Sequence, residues 1–288
     1  MKHNDKNISS DSPNDQELFA QLKVPYKQDK SAIWEQLSSK IEEESPKTKV
    51  RSLLWPKLAA ACVVLGIGIA SVLKFYTTNI TCPQGQQLAH TLPDGSIVKL
   101  NAESSLSYAP YWWSFDRTVE LEGEAFFEVE KGQQFTVSSN LGNTKVLGTS
   151  FNIFARAGHY EVFCATGKVQ VEAKKSGKII QLTPDQFAKL ESQNNLVKLE
   201  NIDAQSTLAW TQNKLNFKAT ELTKVLQTLE RQYAVKIDLS NKITEKHIYT
   251  ANYNKPTTIE EALELICLSF SLKFEKTTDN HYKIEPVD

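Results

Sequence analysis

The sequence predicts a mixed architecture: a single transmembrane helix, then an all-β sandwich or roll, then a small α+β domain made of two βαβ units. Three observations predict it. Leu58 to Leu73 reads LAAACVVLGIGIASVL without a charge, the pattern switches to period two beyond residue 77, and two helical stripes flanked by short strands follow residue 201. These changes divide the chain into residues 1–52, 53–76, 77–200 and 201–288. Across 288 residues, 33 basic and 34 acidic side chains leave a net charge of −1, so no global field marks the chain for direct nucleic-acid binding.

In residues 1–52 the opening MKHNDKNISSDSPNDQ has the polar composition of a disordered segment, and Leu18, Phe19 and Leu22 form a small apolar patch after it. Asp29 or Ser31 then stands as N-cap for a helix carrying Ile33, Trp34, Leu37 and Ile41 at i, i+1, i+4 and i+8. So short a stretch with so few large apolar groups buries too little surface to fold alone, and the stripe needs a partner. A helix laid into another protein's groove, with Trp34 as anchor, satisfies it; so does a helix resting on the membrane surface or on its own neighbour.

From Leu53 to Tyr76 only Lys57 and Lys74 interrupt the apolar run. A helix over this stretch is about 36 Å long and clears the ~30 Å of bilayer hydrocarbon. Both lysines lie near its ends, where they can snorkel, Trp55 and Tyr76 fall at interface depth, and Pro56 sits in the first turn, where its missing N–H costs little. The polar stretch ahead of the run argues for a signal anchor over a cleaved signal peptide. Lys47, Lys49, Arg51 and Lys57 flank the N-terminal side, whereas the next charge after Lys74 is Asp94, so the N-terminus is expected inside and the C-terminal part outside.

Residues 77–200 read as strands at Ser96–Leu100, Thr118–Leu121, Ala125–Glu130, Gln134–Ser138, Lys145–Leu147, Phe151–Phe154, Tyr160–Cys164, Lys168–Glu172, Lys178–Leu182, Gln186–Leu190 and Leu196–Leu199. Turn signals such as Pro93-Asp94-Gly95 and Ser176-Gly177 separate them. No catalytic constellation surfaces, because His90 and His159 are isolated, and Glu122, Glu124, Glu128 and Glu130 read as solvent-facing carboxylates. At least one of the adjacent Trp112 and Trp113 belongs to the core, since strand neighbours point to opposite faces. Cys62, Cys82, Cys164 and Cys267 form no CxxC pair and select no disulfide, and neither a metal nor a cofactor is expected.

Residues 201–288 read as strand Lys214–Lys218, helix Thr220–Tyr233 and strand Val235–Leu239, then strand His247–Tyr253, helix Thr258–Phe270 and strands Leu272–Lys276 and Tyr282–Glu285. Leu222, Val225, Leu226, Leu229 and Tyr233 make one core stripe; Ile259, Ala262, Leu263, Ile266 and Phe270 make the other, with Thr258 and Glu261 spaced as a capping box. One short sheet with both helices on one face is the expected packing.

LPDGSIVKLNAESSLSYAP (Leu92–Pro110), RTVELEGEAFFEVEKGQQFTV (Arg117–Val137) and KVLGTSFNIFA (Lys145–Ala155) together resemble the FecR-family domain of bacterial anti-sigma factors. AWTQNKLNF and LQTLERQYAVKI resemble the C-terminal module that follows such domains, itself similar to the secretin and TonB short N-terminal (STN) fold. The resemblance implies a single-pass protein of the bacterial inner membrane whose cytoplasmic segment holds an extracytoplasmic-function (ECF) sigma factor, with Ile33, Trp34, Leu37 and Ile41 as the contact. It further implies a periplasmic part that meets the signalling domain of a TonB-dependent outer-membrane receptor, and release of sigma by regulated-proteolysis proteases. Some relatives are thought to cleave themselves at a Gly-Thr bond, which here makes Gly148-Thr149 the candidate; a tight turn entering the Phe151 strand explains that glycine equally well. An envelope or secretion scaffold that docks partners through the same outer domains is the competing class.

Overall fold

The computed structural model describes residues 29–43, 54–191, 195–241, 243, 246–254 and 258–287. The chain divides into two units between Cys62 and Val63. In the first unit, α1 spans Lys30–Glu43. Of the two expected cap residues, Asp29 takes the position ahead of the helix and Ser31 lies inside its first turn: the Ala32 and Ile33 amides donate to the Asp29 carbonyl at 3.0 and 3.2 Å, and the Ser31 hydroxyl donates to the Asp29 carboxylate at 2.5 Å. Those Ser31 hydrogen bonds hold the Asp29 carboxyl below its ordinary pKa. The expected apolar patch at Leu18, Phe19 and Leu22 lies outside the described residues.

Helix α2, Leu54–Phe75, runs for 22 residues. Its Trp55–Phe75 stretch has a mean hydropathy of 2.2 and is exposed throughout, so it is long and apolar enough to cross a membrane.

The second unit continues with thirteen strands, joined through a shared strand into a sandwich: β1 Thr78–Cys82, β2 Leu88–Thr91, β3 Ile97–Leu100, β4 Ser104–Tyr108, β5 Arg117–Glu128, β6 Phe135–Ser138, β7 Gly142–Val146, β8 Ser150–Arg156, β9 His159–Cys164, β10 Val169–Ala173, β11 Ile179–Leu182, β12 Gln186–Leu190 and β13 Leu196–Leu199. One sheet runs β11-β10-β7-β6-β5-β4-β1 and the other β2-β3-β5-β8-β9-β12-β13. Strand β5 serves both. Its first half pairs with β4 and, in parallel, with β6; its second half pairs with β3 and β8. Gly123 marks the crossing, with φ +108° and so little room that an added Cβ would stand 2.7 Å from the Ser104 Cα. Phe127, Phe135 and Phe151 fill the space between the sheets, and Thr144 of β7 bonds Tyr160 of β9 across it at 2.7 Å.

This corrects the expected pair Thr118–Leu121 and Ala125–Glu130, which is one strand bent at glycine. It also adds β1, β2 and β4, whose short, polar sequences carry weak alternation. Trp113 is in the core and Trp112 half-exposed, as expected of one of the pair, but they occupy a turn after β4 and not a strand.

Beyond β13 come a four-residue helix α3, Ala204–Thr207, and a 3-10 helix, Ala209–Gln212, then β14 Lys214–Glu221, α4 Leu222–Tyr233, β15 Lys236–Leu239, β16 Ile248–Asn254, α5 Ile259–Phe270, β17 Leu272–Thr278 and β18 His281–Pro286. The stripes of α4 and α5 form a second core with Leu215, Phe217, Ile237, Tyr282 and Ile284. The capping box is present: Glu261 N–H donates to Thr258 Oγ1 at 3.2 Å and Thr258 N–H to Glu261 Oε2 at 3.0 Å. The expected single sheet is instead two. β14 pairs antiparallel with β16, whereas β15 pairs in parallel with β18, which also pairs with β17. Because β14 and β15 are not neighbours, the first βαβ unit does not close on itself; each half lends a strand to the other.

Candidate functional site

Three features separate themselves from the two cores. The first is α1. Ile33, Trp34, Leu37 and Ile41 do share one stripe of this helix, and it lies open: Trp34 is 72% exposed, Ile41 65% and Leu37 47%, with Ile33 half-buried. Large apolar groups left in water on a helix too short to be stable by itself form a surface that binding would cover.

The second is the turn at Gly148-Thr149, between β7 and β8. Gly148 has φ +145°, and a Cβ there would meet the Lys131 Cα at 2.8 Å. Flanking carbonyls anchor the turn, with Val129 N–H donating to the Thr149 carbonyl at 2.9 Å and Gly132 N–H to that of Leu147 at 3.0 Å. The Thr149 hydroxyl is buried without a hydrogen-bond partner. Glycine is required here by backbone geometry, as the turn explanation expects.

The third was not anticipated from sequence: a polar seam where the α+β module covers the outer face of the sandwich. Gln232 Nε2 donates to Asn101 Oδ1 at 2.6 Å, Trp210 Nε1 to Asn152 Oδ1 at 3.2 Å, Gln87 Nε2 to the Trp210 carbonyl at 2.9 Å, and Gly85 N–H to the Arg231 carbonyl at 2.7 Å. The free amide ends of the two asparagines turn to Glu124, Asn101 Nδ2 at 2.8 Å and Asn152 Nδ2 at 3.1 Å. Beside them opens a cleft of about 510 Å³, reached by Glu124, Arg156, Trp210, Arg231 and Gln232. Arg156 is pinned by the Ala102 and Glu103 carbonyls and Ser104 Oγ, all at 3.0 Å, while its Nε is buried and unpartnered.

Glu124 is therefore no solvent-facing carboxylate. Its strand parity is outward as expected, but the α+β module covers that face. Loss of water raises its pKa; hydrogen bonds from Asn101 and Asn152 and the charges of Arg156 and Arg231 oppose the rise without cancelling it. Burial pushes down the pKa of both arginines, and the guanidinium of Arg231 adds to the effect on Arg156; both remain charged. Asn152 carries no sign of the seam in the sequence, because it stands in the outward phase between Phe151 and Ile153; only its burial in the folded chain breaks the alternation.

The cysteines are all free, with Cys82, Cys164 and Cys267 buried. Desolvation pushes the thiols of Cys164 and Cys267 up to about 11, which leaves them protonated and unreactive.

Among the described residues, one spanning-length apolar helix precedes a folded region of two parts, a two-sheet β module and an α+β module docked on it. Comparison with known proteins supplies the lineage. Residues 78–170 match the FecR protein family and residues 214–284 the FecR C-terminal family. Two crystal structures of a candidate anti-sigma factor from Parabacteroides distasonis ATCC 8503, at 2.50 and 1.65 Å, are similar to the chain with TM-scores of 0.68 and 0.67 and identities of 29% and 30%. They cover 74% and 73% of this chain, and all of each crystallised chain is matched. No curated protein matches it. The chain belongs to the FecR family.

Proposed function

We propose that the protein is a single-pass anti-sigma factor of the bacterial inner membrane. Residues 1–52 form its cytoplasmic segment, 53–76 its membrane helix, and 77–200 and 201–288 its periplasmic FecR-like and STN-like domains. The observation that carries the reading is the open stripe on α1, one helix before a spanning-length segment in a FecR-family chain. Ile33, Trp34, Leu37 and Ile41 are the contact for an ECF sigma factor, hiding surfaces it needs for polymerase or promoter. The anti-sigma description of the Parabacteroides structures supports the role. The flanking lysines support the orientation.

The periplasmic modules would receive the signalling domain of a TonB-dependent receptor, and proteolysis of the anti-sigma factor would free sigma. A tethered segment that orders on binding gives up affinity to entropy, which suits a switch worked by cutting. Co-purification of the full chain from membranes with each ECF sigma factor of the host tests this. One sigma factor at equal stoichiometry, lost on Trp34→Ala with Leu37→Ala, is the expected result. Recovery of none would favour the envelope scaffold.

The unpartnered Thr149 hydroxyl supports a second, limited activity. Thr149 Oγ1 would attack the Gly148 carbonyl carbon, the C–N bond would break with a proton going to the Thr149 nitrogen, and water would hydrolyse the ester to a Gly148 carboxylate and a free Thr149. Purified protein should then run as two fragments, 1–148 and 149–288; an intact band through folding and long incubation would exclude it.

A further inference from the structure

The turn between β4 and β5 carries Tyr111, Trp112, Trp113 and Phe115 in succession, broken only by Ser114. Trp113 points inward, edge-on to Tyr108 and Phe135 at 5.5 and 5.9 Å between ring centres. The other three do not. Tyr111 is 61% and Phe115 75% exposed, and the half-exposed Trp112 packs on Phe115 at 4.8 Å. The turn is well held: the Phe115 and Asp116 amides donate to the Trp112 carbonyl at 2.9 and 3.1 Å, and the Asp116 carboxylate accepts from the Thr118 hydroxyl. Its rings meet the end of the spanning-length helix. Tyr111 lies 5.3 Å from Tyr76, and the Lys74 ammonium sits 5.7 Å from the Trp112 ring centre.

We propose that this turn is a membrane foot. Tyr111, Trp112 and Phe115 lie in the headgroup layer of the bilayer that α2 crosses and seat the β sandwich on its surface. A rigid cluster of exposed rings is unfavourable in water, and tryptophan and tyrosine concentrate at the membrane–water interface. The occupant follows from continuity: Lys74 and Tyr76 mark where the helix leaves the hydrocarbon, and the rings that touch them share that depth. A soluble partner would have to reach them through lipid headgroups. The inference rests on α2 spanning a bilayer and not on any sigma factor.

The test places an environment-sensitive fluorophore on the full chain in phosphatidylcholine–phosphatidylglycerol vesicles, with or without nitroxide lipids. Labelled at Cys62, the wild type reports the span; Ser114→Cys in a Cys62→Ala background reports the foot, and Lys175→Cys in the same background reports the exposed β10–β11 turn. A nitroxide high on the acyl chain should cut the Ser114→Cys emission by about half and leave Lys175→Cys unchanged. Quenching at Cys62 with the Ser114→Cys label no more quenched than Lys175→Cys would overturn the foot and leave the span standing. Absence of quenching at Cys62 would remove the span and the foot with it.

Discussion

Glu124 sits on the outward face of β5, yet its carboxylate has traded water for two asparagine amides and two guanidinium groups. The exchange is incomplete, so its folded-state pKa lies above the ordinary 4.5. As pH rises through that folded value the native protein must carry a charge that the unfolded chain carries more easily, and stability is lost; below the ordinary value both states are protonated and the effect vanishes. The midpoint of thermal unfolding of Glu124→Gln, relative to wild type, should therefore climb as pH rises above the ordinary 4.5 and level off once the folded-state carboxyl has ionised. A parallel pair of curves would mean that Glu124 is solvated. Thr149 gives a second case: its hydroxyl is buried and unpaired, so Thr149→Val should match or exceed wild-type stability while abolishing any cleavage after Gly148. Calorimetry and a denaturing gel read the two effects separately.

Among the elements, β5 depends on an ion pair at its first residue, between the buried Arg117 and the half-buried Asp94. Arg117 donates through Nε and Nη2 to Asp94, and through Nη1 and Nη2 to the Gln133 and Glu130 carbonyls, binding the β2–β3 turn to the loop after β5. Replacing Arg117 by Met leaves the half-buried Asp94 without its cation, and should cost about 3 kcal/mol, the low end for a buried pair, in denaturant unfolding. Helix α1 is the opposite case. Its stripe supports no core, so Trp34→Ala with Leu37→Ala should leave the unfolding midpoint where it is and weaken sigma binding by at least ~30-fold in a titration. The same contrast governs what could be read from sequence. The α4 and α5 stripes and the Thr258–Glu261 cap are local patterns and stand almost where the spacing puts them. The continuity of β5 through Leu121–Ala125 is not local: glutamates flanking a glycine look like a turn until two sheets claim one strand each half.

For the whole molecule, periodicity sufficed for the order of helix, β module and α+β module, because burial on one face is written along each segment. The seam was illegible, since nothing in β5 or β8 says which outward face a later module will cover. Only after docking do Asn101, Asn152 and Glu124 acquire Gln232, Trp210 and Arg231 as neighbours. The open stripe of α1, on which the proposed sigma contact rests, was legible for the converse reason, that an apolar stripe with no core of its own is a local fact. Its assignment can be tested directly by placing a photo-crosslinking residue at Trp34 in the full chain, co-expressed with the cognate ECF sigma factor. A single adduct of the chain with sigma is expected, absent when the crosslinker stands at Lys175. A sigma factor that binds the chain yet forms no adduct from position 34 would contradict it.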